Sequence, residues 1–276
     1  MALARRILEF RTVKTWGVSL TPSDFASCRT FSEVLTRLYG AWAWKCHKPR
    51  WGDKTPQYVS DMPLLLTLFP AARFLHIYRD GRDVVLSALR ANFDGNLYTA
   101  ATHWKAMVET GRSDGARMPR ENYLEIRYES LIAYPVITMH QVCDFLAEPF
   151  CEDVLVPSHL NPHPLSAGPW INVRAGSTDR IMIENAGKWR RQLTRAQRIL
   201  FESVAGRLLR TLGYDVEGIV RRVTIVERVV WRCHQFLWYS SSRFVGIHRI
   251  HFLGSFLMLH WARIRGWYSD KVRLLT

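Results

Sequence analysis

The sequence predicts an α/β fold built on a central parallel sheet, followed by a helical carboxyl-terminal tail. Phe74, Leu75, Ile77 and Tyr78 form a short apolar run of strand-forming types, as expected of a parallel strand covered on both faces. Asp80 and Gly81 break that run, and from Arg82 the spacing of Val84, Val85, Ala88 and Leu89 turns helical. Residues 122–126 read as a second strand beyond a further helical stretch, so strands and helices alternate as in a parallel α/β domain.

The elements follow in chain order. Residues 30–44 carry amphipathic spacing, with Thr30 and Glu33 placed as a capping box. Residues 59–69 and 97–110 repeat the helical pattern on either side of the first strand, the latter around Trp104. Residues 137–146 form a fourth helix, and residues 195–212 a late one with Leu200, Val204, Leu208 and Leu212 on one face and Gly213 as its stop. Between them residues 149–176 are rich in Pro, His, Ser and Gly, the composition of a long loop of the kind that shapes a functional site. His159 and His163 in this loop are four apart, but the Pro–His–Pro context stops a helix from presenting them as a metal pair.

Chemistry concentrates where the first strand ends. Arg79 stands at its carboxyl end, the place where open α/β sheets bind ligands. The helix that follows offers free N–H groups and a positive dipole end, and Arg79 adds a planar fork for two oxygens of an anion. Ser87 lies about a turn and a half into that helix and can offer its hydroxyl to the same anion. The same residues also suit a structural Arg–Asp ion pair with Ser87 as a small packing residue.

Further motifs in a fixed order narrow the reading. TrpGlyAspLysThrPro occupies residues 51–56, PheProAlaAlaArgPheLeu 69–75, ArgAspGlyArgAsp 79–83 and TyrGluSerLeu 128–131. SerThrAspArg follows at 177–180, GlyLysTrp at 187–189 and LeuGlyTyrAsp at 212–215. In this order the chain resembles the sulfotransferases that use 3′-phosphoadenosine 5′-phosphosulfate (PAPS), nearest to the tyrosylprotein sulfotransferases and their bacterial relatives. The resemblance implies a three-layer P-loop-like domain. It further implies that Arg79, Ser87, Tyr128 and Lys188 bind PAPS, with Arg79 and Ser87 on its 3′-phosphate. Lys54 would stabilise the transition state and Ser177 would stand near the transferring group. The acceptor would be a hydroxyl on a protein tyrosine, a carbohydrate or a lipid. No metal is expected.

Each role has a physical reason and a plainer alternative. Sulfuryl transfer builds negative charge on bridging and sulfuryl oxygens, by analogy with phosphoryl transfer, and a fixed ammonium stabilises it. Lys54 precedes Thr55 and Pro56, which restrain its loop; as a lone residue it would read as a solvated loop lysine. Tyr128 also suits a core ring with a polar tip, Ser177 a turn with Asp179, and Lys188 a cation–π partner of Trp189. Two departures from the family pattern stand out. Ala91 occupies the place of a further arginine, with Arg90 one position early. The family's opening strand and ProArgSerGlyThrThr-type loop, with its acidic base, has no counterpart; counted back from Lys54 it would fall at or before Met1. Very poor sulfate transfer, or none, is therefore the expectation for these 276 residues. Loss of catalysis, leaving a nucleotide-binding or membrane-surface interaction protein, is the alternative.

Composition bounds the rest. At 276 residues and 48 % hydrophobic content, the chain can bury the core of one ordinary domain, placed at residues 1–218, plus a tail at 219–276. Five cysteines without CysxxCys spacing argue against a disulfide framework or zinc site, and suit a reducing, cytoplasmic location. The net charge of +14 is concentrated in the tail, where ten Lys or Arg face only Glu227 and Asp270, a balance of +8. Tryptophans and phenylalanines interleave there, and Val226, Val229, Val230, Cys233 and Leu237 share helical spacing away from Arg228, Arg232 and Gln235. The longest apolar piece, near residues 252–262, is too short for a span. Such a tail fits an anionic membrane surface, a docking partner or an extra helical layer. Nucleic-acid binding is not expected, because no recognition motif accompanies the charge.

Overall fold

The computed structural model describes residues 2–155, 185–219 and 221–244. Two short helices, α1 (Ala2–Glu9) and α2 (Arg11–Thr15), lead to a 3₁₀ turn at Pro22–Phe25 and then α3 (Phe31–Lys45). Thr30 and Glu33 close the predicted capping box at the start of α3. Ala4, Ile7, Val13, Trp16, Phe25 and Leu38 bury one another in a small amino-terminal core, with the Trp16 ring against Tyr39 and Trp42.

A 3₁₀ turn at Pro56–Ser60 and α4 (Met62–Leu68) occupy the stretch expected as one helix. Pro56 and Pro63 each sit at the start of their element, where a missing N–H costs nothing. Next come β1 (Phe74–Tyr78), α5 (Gly81–Arg90), α6 (Leu97–Gly115) and β2 (Tyr123–Arg127). The two strands pair in parallel, with Phe74 opposite Tyr123 and Tyr78 opposite Arg127. Among the described residues the sheet contains these two strands. It is therefore covered less fully than the apolar run suggests: Leu75 and Ile77 remain 38 % and 53 % exposed.

Beyond β2 the chain forms α7 (Tyr128–Ala133), α8 (Pro135–Leu146), α9 (Trp189–Gln192), α10 (Arg195–Thr211) and α11 (Ile225–Phe244). The main core lies between α5, α6 and α10, where Val85, Ala101, Trp104, Phe201, Ala205 and Leu209 are buried. Burial of apolar area, at roughly 25 cal/mol per Å², makes this cluster a source of stability near the end of β1. It fixes α5, and through α5 the residues that leave the strand.

Candidate functional site

The ArgAspGlyArgAsp motif divides into one outward and several inward residues. Asp80 caps α5 by accepting from the Arg82 amide at 3.0 Å. Arg82, 1 % exposed, donates two bonds to the Asp80 carboxylate and a third to Glu202 at 3.1 Å. Its guanidinium lies 3.6 Å over the Trp189 ring. This buried network joins α5 to α9 and α10 and holds the Arg82 guanidinium away from solvent. Gly81 belongs to the same packing: a Cβ there would lie 2.4–2.6 Å from ring atoms of Trp104 and Phe201.

Arg79 takes the other direction. Its guanidinium stands 4.8 Å over the Tyr128 ring, donates to the Asn185 carbonyl, and lies 3.4 Å from the Asp83 carboxylate. The ion pair read from the sequence is thus present, yet it does not exhaust the side chain: Nε is buried and, among the described residues, has no hydrogen-bond partner. A buried charged donor without an acceptor is costly, and an anion at the head of α5 would satisfy it.

Asp83 holds the second half of the corner. Its side chain is fully buried and accepts from the Gly187 amide at 2.7 Å and the Trp189 amide at 2.9 Å. Burial pushes its carboxyl above the ordinary value of 3.8, against those two donors and the Arg79 guanidinium. The turn carrying Lys188 is thereby fastened beside Arg79, and Lys188 Nζ donates to the Asn185 side chain. Trp189 engages Arg82 and Arg190 rather than Lys188.

The strand ends are tied together as well. Glu129, in the first turn of α7, accepts from the Asp80 amide at 2.9 Å and from the Tyr214 hydroxyl at 2.8 Å. Burial and that carboxylate push the Tyr214 hydroxyl well above its ordinary value. The Arg127 guanidinium lies 4.2 Å over the Tyr214 ring. These contacts set Tyr128 beneath Arg79, because Tyr128 sits between Arg127 and Glu129 in the chain.

Arg79, Tyr128 and Lys188 are therefore brought together. Ser87 is exposed on α5 and donates to the Asp83 carbonyl at 3.2 Å, which links it to the corner through the backbone. Lys54 is exposed on a separate loop. That loop is pinned at Asp53, whose carboxylate accepts from Tyr39 at 2.8 Å, Thr55 at 2.9 Å and Tyr58 at 3.2 Å. Trp51 stacks on Tyr39 with ring centres 4.6 Å apart. Ser177 and most of the 149–176 stretch lie outside the described residues. Asp83 and Asn185 were not singled out in the sequence; the signal for Asp83 was its place four residues after Arg79, one helical turn along α5.

The chain is also similar to known proteins. The sulfotransferase family model matches residues 14–152, half of the chain. The chain is 28 % identical to Protein-tyrosine sulfotransferase 2 of Gallus gallus over 183 residues, covering 63 % of this chain and 47 % of that protein. It is 29 % identical to Protein-tyrosine sulfotransferase A of Caenorhabditis elegans over 176 residues, 60 % and 45 % of the two chains. It thus spans about half the length of these curated relatives. The fold is similar to the sulfotransferase domain from the Synechococcus PCC 7002 olefin synthase, with a TM-score of 0.52 at 23 % identity over 78 % of this chain and 75 % of that one. It is also similar to the sulfotransferase domain from the curacin biosynthetic pathway, with a TM-score of 0.50 at 21 % identity over 67 % and 68 %.

Proposed function

The chain belongs to the sulfotransferase family, and from that premise we propose that it moves a sulfuryl group from PAPS to a hydroxyl acceptor, with protein tyrosine as the favoured acceptor. The observation that carries this reading is the buried Nε of Arg79 at the head of α5, unpaired among the described residues and set beside Tyr128 and Lys188. PAPS would supply the sulfuryl group: its sulfur–oxygen bond to phosphate breaks, a sulfur–oxygen bond to the acceptor forms, adenosine 3′,5′-bisphosphate leaves with the bond's electron pair, and the hydroxyl proton passes to solvent.

The residues of this chain then have distinct tasks. Arg79 binds the 3′-phosphate, and Ser87 adds a hydroxyl donor once it leaves the Asp83 carbonyl. Tyr128 fixes the plane of the Arg79 guanidinium and flanks the nucleotide. Lys188 binds the same nucleotide from a turn fastened by Asp83. Lys54 stabilises the charge that develops during transfer, and its loop is kept in shape by the three hydroxyls on Asp53. Ser177 stands near the transferring group. The names of the relatives favour tyrosine over sugar or lipid acceptors.

Transfer of labelled sulfate from PAPS tests the reading, with a tyrosine peptide and a carbohydrate mixture as acceptors. The expected result is labelling of the peptide, lowered by Arg79→Ala and by Lys54→Ala. Labelling that survives both substitutions unchanged would contradict the site.

A further inference from the structure

Helix α11 has two faces of different chemistry. Toward the domain it presents Trp231, Gln235 and Trp238. Gln235 accepts from the Gly95 amide at 2.9 Å and the Thr99 hydroxyl at 2.8 Å, Asn96 donates to the Trp231 carbonyl at 3.0 Å, and the Trp238 ring packs on Gly95. At 3.6 residues per turn, these contacts direct Ile225, Val226, Val229, Val230, Phe236 and Leu237 away from the domain. All six are between 54 % and 77 % exposed. A continuous apolar face of this kind on a folded domain marks an interaction surface.

Charge selects the occupant. Arg222, Arg228 and Arg232 are exposed around this helix, and Glu227, the one acid in residues 219–244, is already engaged by Arg221 and by the Thr224 amide. Residues 245–276 add five more Lys or Arg against Asp270 alone. A second copy placed face to face would bring two arginine-rich margins together without acids to pair them. Insertion across a bilayer is also disfavoured: among the described residues no helix is long and apolar enough to cross a membrane. An anionic lipid surface satisfies both properties, since it takes an apolar helix face and attracts the flanking cations.

We propose that α11 lies flat on an anionic lipid surface, with its outward apolar face in the interface and Arg222, Arg228 and Arg232 at the headgroups. The domain would then stand on the membrane through the α6 end that holds Gln235. This inference is independent of the sulfuryl-transfer reading.

Sedimentation of the full chain with phosphatidylcholine vesicles, with and without phosphatidylserine, tests it at low and raised salt. Binding is expected to require phosphatidylserine and to weaken as salt rises. Replacing Val229, Val230, Phe236 and Leu237 together by Ser should lower partitioning by at least about a hundredfold. Arg228→Glu with Arg232→Glu should lower it by at least about tenfold. If the fourfold variant loses its helical circular dichroism, Leu237→Ser alone should still give roughly a fivefold loss. Equal binding to neutral vesicles would overturn the proposal. So would no binding at low salt, or an apolar-face variant that binds as well as the parent. A dimer that dissociates on apolar-face substitution, with vesicle binding unchanged, would instead identify a second copy as the occupant.

Discussion

Replacing Asp83 tests how the GlyLysTrp turn is held next to Arg79. In Asp83→Ala, the Gly187 and Trp189 amides lose their acceptor at a position where the side chain is fully buried. Each buried donor left unpaired costs about 1–3 kcal/mol, so a stability loss of about 2–6 kcal/mol follows. Asp83→Asn keeps one acceptor oxygen and should lose about half as much. A second effect separates positioning from mere stability. Lys188 depends on this turn for its place, so binding of adenosine 3′,5′-bisphosphate should weaken about tenfold or more in folded Asp83→Asn. Adding Lys188→Ala to that variant should then cost less affinity than it does in the parent, a coupling that a double-mutant cycle reads directly. Urea unfolding and calorimetry supply the two measurements. Asp83→Ala within about 0.5 kcal/mol of the parent, or strictly additive losses in the cycle, would refute this role.

Other perturbations have equally definite outcomes. Gly81→Ala forces a Cβ into the Trp104 and Phe201 rings and should destabilise the protein by about 1–3 kcal/mol, seen as a lower urea midpoint. Burial holds His76 below the ordinary imidazole value of 6.5, against the pull of Glu125. Its folded value being depressed, stability is fully present above pH 6.5 and is lost as pH falls through the lower folded value; His76→Gln should flatten that acid-side decline. Tyr39→Phe removes the 2.8 Å bond to Asp53. It should slow sulfate transfer while leaving bisphosphate affinity unchanged, because the Lys54 loop is separate from the Arg79 corner.

Periodicity and capping were legible where the determinants are local. The strand at 74–78, the helices that became α3, α5, α6, α8 and α10, and the Thr30–Glu33 box all rest on residues within a few positions of one another. Helix α6 runs past its expected end at residue 110 to Gly115, and Gly111 and Gly115 within that extension are sites of close packing. A Cβ at Gly115 would lie 2.1–2.4 Å from the Tyr123 ring, and one at Gly111 2.5–2.6 Å from Val59 and His76. Helix α7 begins directly at the end of β2 without Gly or Pro to mark the change. An apolar run also cannot say how many of its faces are covered, which is why the exposure of Leu75 and Ile77 was not foreseen. Arg79, Tyr128 and Lys188, which motif order singled out, lie together in the fold. The anchoring role of Asp83 was not legible, because its partners lie more than a hundred residues further along the chain.

Discrimination between two nucleotides tests the central claim most directly. Calorimetric titration with adenosine 3′,5′-bisphosphate and with adenosine 5′-monophosphate isolates the 3′-phosphate that Arg79 is assigned to hold. The parent should prefer the bisphosphate by well over tenfold, since truncating one partner of a desolvated charge pair costs about 2–5 kcal/mol, and Arg79→Ala should remove most of that preference, leaving only what Ser87 supplies. Equal affinity of the parent for both nucleotides, or a preference undiminished in Arg79→Ala, would contradict the account.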